Sequence, residues 1–160
     1  MTHDPARDLL RHTVATVAYR GGKALRDAPA GFGEYRLPEG SRSAIEILAH
    51  IGDLFDWAIH LATGEHVWAD TDPVDWEAQV ERFYDGLARL DAILQSTTPL
   101  GFPAERLFQG PIADALTHVG QISLLRRQAG SPVRGENYFK ADIVSGRTGR
   151  DQSPPRREFD

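Results

Sequence analysis

The chain has 160 residues, of which 41% are hydrophobic and 26% charged; that fits one folded globular domain and excludes wholesale disorder. Eighteen basic residues against 23 acidic ones leave a net charge of −5, which argues against a general nucleic-acid or anionic-membrane surface. There is no cysteine, which excludes a disulfide scaffold, a zinc-thiolate site, an iron–sulfur cluster and a cysteine nucleophile.

The opening Met1-Thr2-His3-Asp4-Pro5 has no basic stretch followed by an apolar core, so no secretory signal is expected. No apolar run approaches the roughly 18 residues of a membrane span. The expectation is a cytoplasmic protein with neither nucleic acid nor membrane as partner.

Asp4-Pro5 is a helix start, an acceptor followed by proline at the first helical position. Leu9, Leu10, Val14, Val17 and Ala18 continue at helical spacing toward Leu25, although Gly21-Gly22 is a place for a kink or an early end. Pro29 to Gly40 reads as a long connection. Ser43-Ala44-Ile45-Glu46 fits a capping box, and Ile47, His50, Leu54, Trp57 and Leu61 then recur on one face up to Gly64. Asp72-Pro73 repeats the acceptor-plus-proline start for a third helix reaching Gln95. Gly110-Pro111 opens a fourth through Ile112, Leu116, Val119, Ile122 and Leu125, closed by Gly130 and Pro132.

Four such helices predict an all-α, antiparallel four-helix bundle over residues 1–144, with an irregular C-terminal extension. Tyr138 to Val144 reads as extended or as a short helix, and residues 145–160 as a polar tail, either surface-hugging or mobile.

His50 sits in the middle of an apolar helical face, where each ring nitrogen needs a partner. It is either a core histidine satisfied by a carbonyl or a buried acid, or a metal ligand. Asp114 and His118 stand one turn apart on the fourth helix and share a face with Gln121 and Leu125. They form either a local hydrogen bond or two ligands of one cation. Taken together, His50, Asp114 and His118 make a three-point site from two helices with a coordination position left open. Such donors suit zinc first, then nickel, iron or manganese.

Residues Ala113 to Ile122 resemble the last core helix of the DinB/YfiT-like family of metal-binding four-helix bundles, which carries H-x-x-x-H-R-G-Q. His118-Val119-Gly120-Gln121 matches its second half with Val119 in place of arginine, and Asp114 occupies the first histidine's place. Ile47 to Asp53 is similar to the second-helix motif, whose one histidine completes the site. The resemblance covers roughly Asp4 to Gly130. The carboxylate at Asp114 is similar to the family's thiol-dependent branch, which includes mycothiol-dependent maleylpyruvate isomerase. The resemblance implies a divalent metal, a small-molecule substrate with a low-molecular-weight thiol, a homodimer, and thiol-dependent transfer, isomerisation or hydrolysis. The alternative is a non-catalytic dimeric bundle with a structural metal or none.

Other residues carry two readings each. Gln121, the one candidate for a catalytic role, donates to a metal-bound water or makes a helix-surface hydrogen bond. Asp53 orients a ligand or faces solvent, and Trp57 packs in the core or stacks on substrate. Arg134 to Lys140 folds over the bundle mouth or covers an apolar edge. His3, His12, His60 and His66 lack metal spacing and are expected at the surface.

Overall fold

Asp4 opens the first helix as its cap, its carboxylate accepting from the Arg7 backbone N–H at 3.2 Å, and α1 runs over Pro5–Leu25. In this computed structural model, which describes residues 4–160, the chain is mostly helical. The call on His3 lies outside the described residues. The glycine pair does not end α1. A Cβ on Gly21 would lie 2.4 Å from Cζ of Phe83, so the bare backbone is what lets that ring sit against the helix. The end of α1 is satisfied from elsewhere in the chain. Arg126 donates to the carbonyls of Ala24 and Arg26 at 2.9 Å each and of Asp27 at 3.3 Å, closing groups that the last helical turn leaves open.

The second helix, α2 (Ala44–Ala62), has the expected capping box. Ser43 Oγ accepts from the Glu46 N–H at 3.4 Å, and the Glu46 carboxylate accepts from the Ser43 N–H at 2.7 Å. The third helix, α3 (Trp76–Gln95), starts later than the Asp72-Pro73 signal suggests. Its cap is Asp75, which accepts from the Ala78 N–H at 2.7 Å. Just ahead of the Asp72-Pro73 signal, Thr71 is tied to Asp53 through its N–H at 3.0 Å and its hydroxyl at 2.6 Å.

The last helix also differs from expectation at its start. A short α4 (Ala104–Leu107) runs through a π-helical turn, Phe108–Ile112, into α5 (Ala113–Gln128). Pro111 is therefore inside the helical stretch, not its first residue. Proline has no N–H for the carbonyl four residues back, and the wider turn, with the Ala113 N–H reaching the Phe108 carbonyl, absorbs it.

Helices α1 and α2 each pack against both α3 and α5. The fully buried interior includes Phe55, Phe83, Leu48, Ile51, Leu87 and Ile122, with the Phe55 and Phe83 rings 5.5 Å apart. Among the described residues no helix is long and apolar enough to cross a membrane.

Beyond α5, a two-residue strand β1 (Gly135–Glu136) pairs antiparallel with β2 (Glu158–Phe159). Tyr138–Lys140 forms a single 3-10 turn. The buried Glu136 accepts from the Tyr19 hydroxyl at 2.6 Å and from Lys23 at 2.8 Å, and Lys23 also reaches Glu158 at 3.1 Å. Burial, and then the bond to Glu136, pushes the Tyr19 phenol up. Tyr138 meets Tyr19 edge-on at 6.2 Å, and Arg20 lies 4.3 Å from the centre of the Tyr138 ring. Arg134 to Lys140 is thus a polar clasp on α1, and not the cover over a mouth or an apolar edge expected for it. The tail hugs the surface: Thr148 is buried, Arg150 pairs with Glu77, and β2 returns to Lys23.

Candidate metal centre

The α2 stripe places Ile47, Leu54 and Leu61 in the core, with His50 and Trp57 half-buried at its border. Facing it, α5 carries Asp114 and His118 on successive turns, so both side chains reach the same point. His50 Nε2 lies 3.7 Å from one Asp114 oxygen, and His118 Nε2 lies 3.4 Å from the other. The two imidazole rings meet edge-to-face at 4.7 Å. One donor atom from each of the three residues lies within 4.8 Å of the others.

Four-coordinate zinc with nitrogen and oxygen ligands near 2.1 Å sets neighbouring donors about 3.4 Å apart. The separations of 3.4 and 3.7 Å, each to a different Asp114 oxygen, are close to that edge. With one donor atom from each residue within 4.8 Å of the others, the group could hold a small divalent cation.

The tautomers agree. Gln121 Oε1 lies 2.7 Å from His118 Nδ1, and an amide oxygen can only accept, so Nδ1 carries the proton and Nε2 keeps its lone pair toward Asp114. His50 is held below its ordinary pKa, by burial first and then by His118 and Arg42, with Asp114 opposing. That direction favours the neutral imidazole that a metal ligand must be. As ligands, two imidazoles and one carboxylate would offset half the charge of a dication and leave a position for an outside ligand.

The remaining candidates separate clearly. Gln121 acts on His118 from behind, on the side away from Asp114. Asp53 neither orients a ligand nor faces solvent: it is buried, paired with Arg82 at 2.7 Å and bonded to Thr71. His12 is exposed, His60 bonds Glu65 at 3.0 Å, and His66 stacks on Trp57 with ring centres 5.6 Å apart. Two neighbours escape sequence reasoning. Trp68 stands edge-on to His50 at 5.6 Å, and Arg42 lines hollows on both sides of the cluster. Both lie outside the helices, where no periodicity marks a residue as facing the site.

Compared with protein-family models, with curated proteins and with solved structures, the chain finds no match.

Proposed function

We propose that the chain is a metal-dependent enzyme built as an antiparallel four-helix bundle of the DinB/YfiT-like kind. In this reading His50, Asp114 and His118 hold one divalent ion, zinc or nickel ahead of iron or manganese. The reaction is a thiol-dependent transfer or isomerisation, or a hydrolysis. The observation that carries it is the meeting of three donors from α2 and α5, with Gln121 setting the tautomer of one of them.

When bound, the metal supplies Lewis acidity and lowers the pKa of a water or thiol that joins it. The chain's own part is positional. Gln121 holds the His118 ring in orientation, and the half-exposed Asp114 balances charge and leaves the outer side open. Trp68 covers one side of His50. With no cysteine in the chain, a thiol nucleophile must come from the substrate side.

Titration with zinc, nickel and manganese tests the reading. The wild type is expected to bind one equivalent at protein concentrations where His50→Ala and His118→Ala bind none measurably. Occupancy should fall as pH drops through about 6, as protons displace the metal from the imidazoles. The same three side chains also suit a metal-free triad in which Asp114 bridges the two histidines, as in a non-catalytic bundle. Equal affinity of wild type and both variants for all three ions selects that triad and removes the enzyme reading. The resemblance also makes the protein a homodimer, which sedimentation at micromolar concentration checks.

A further inference from the structure

A hollow of about 370 Å³ opens beside His118 between the start of α2 and the end of α5. Its walls are apolar, formed by Leu37, Ile47, Leu124 and Leu125, and its size lies within the range of small-molecule sites. Leu124 is 48% exposed, so part of this apolar wall faces open space. At the rim stands Arg42, which also lines the second hollow, beside His50.

Arg42 makes no hydrogen bond or ion pair with the described residues, although acids are near. Three of those acids are engaged elsewhere: Glu46 caps Ser43 and pairs with Arg36, Asp53 is taken by Arg82 and Thr71, and Asp70 accepts from Trp68. The fourth, Asp72, lines the hollow beside His50 and makes no ion pair with Arg42. A guanidinium with free donors at the edge of an apolar hollow matches a molecule with a planar anionic head and an apolar body.

We propose that this hollow binds a small alkyl monocarboxylate, its chain against Ile47, Leu124 and Leu125 and its carboxylate on Arg42. This names the substrate class of the metal centre. It rests on that reading for the chemistry that follows binding, but not for binding itself. No metal is needed to assemble the frame of this hollow: Arg42 lies in the connection next to Ser43, whose capping box fixes the start of α2, and Leu124 and Leu125 lie on α5, which is held by core packing.

Calorimetric titration of the full chain with butanoate, hexanoate, octanoate, hexanol and hexylamine tests the proposal, in chelator and again after zinc loading. Affinity should rise about fourfold for each methylene added. Hexanoate should bind at least tenfold more tightly than hexanol or hexylamine. Arg42→Ala should bring hexanoate down to the hexanol level, with Arg42→Lys keeping part of the difference. Leu124→Asp, at a half-exposed position that circular dichroism will show still folded, should erase the dependence on chain length. The proposal is overturned if no alkanoate binds, if hexanoate equals hexanol, or if Arg42→Ala changes nothing. Binding only to the zinc-loaded protein and indifferent to Arg42 makes the carboxylate a metal ligand; that overturns this proposal and leaves the metal centre standing. Arg42-dependent binding in a protein that takes up none of zinc, nickel and manganese supports this proposal and removes the metal centre.

Discussion

The same substitution, glycine to alanine inside a helix, is expected to have opposite effects at two places in this chain. Alanine is favoured over glycine in a helix interior by about 1 kcal/mol. At Gly120 in α5 a new Cβ meets nothing within 4 Å, so Gly120→Ala should realise that gain. At Gly21 in α1 the Cβ would stand 2.4, 3.0 and 3.3 Å from three atoms of the Phe83 ring. Ordinary carbon contact is about 3.5–4.0 Å, so the ring must retreat by more than about 1 Å. Phe83 is fully buried, with Phe55 at 5.5 Å and Tyr84 at 5.1 Å, and has nowhere to go. Overpacking of this kind costs about 1–3 kcal/mol, and a fixed aromatic ring puts it in the upper half. Net of the propensity gain, Gly21→Ala should lose about 1–2 kcal/mol. For a chain of this size 1 kcal/mol moves the melting temperature by about 2–4 °C. Thermal unfolding followed by circular dichroism should show Gly120→Ala melting about 2–4 °C above the wild type and Gly21→Ala about 3–6 °C below it. If Gly21→Ala melts as high as Gly120→Ala, the close approach of Phe83 to α1 is wrong.

Arg126→Lys should cost about 2–3 kcal/mol, because a buried fork of donors serving the Ala24, Arg26, Asp27 and Ser131 carbonyls is replaced by a shorter point charge; urea unfolding should show a lower midpoint at unchanged slope. His50 should titrate, by proton NMR in chelator, with a midpoint below the ordinary 6.5. The unfolded chain then binds more protons at this site than the native one, so the stability from neutral His50 is complete above about pH 6.5 and drains as pH falls through the native value; a midpoint above 6.5 contradicts the burial argument. Gln121→Leu should weaken zinc binding about tenfold, the low end for a partner behind a ligand because it is exposed, with helix content unchanged. Deleting residues 153–160 should leave the helices intact by circular dichroism and lower stability by about 1–2 kcal/mol, through the loss of β2 and of Glu158 from Lys23; unfolding of the whole chain would give the tail a larger part in the core.

Features written in local code were legible. The Asp4 cap and the Ser43 capping box each use partners three residues apart, and the structure has both. Two further starts carried equally good local signals and were misplaced. Asp72-Pro73 lost to Asp75, whose carboxylate accepts from the Ala78 N–H, an equally local signal three residues on. Pro111 looked like a first residue because proline fits there, but a π-helical turn fits it mid-helix as well. The three candidate ligands were legible because helical spacing puts each on a definite face. Asp53 occupied an equally suggestive place one turn from His50, and only Arg82, 29 residues away, decides what it does. Arg42 and Trp68 sit in connections, and their position beside the cluster depends on tertiary packing alone.

The clasp on α1 also sets an order of events during synthesis. Tyr19 and Lys23 lie near the beginning of the chain, but Glu136, the first carboxylate that receives them, is 117 and 113 residues further on. At about 5–20 residues per second a ribosome takes about 6–23 s to cover the shorter interval. Over that time the Lys23 ammonium, one-tenth exposed in the finished protein, has neither of its two carboxylate partners to receive it. Water must do so instead. The surroundings of this end of α1 are therefore complete only when the last residues of the chain have been made.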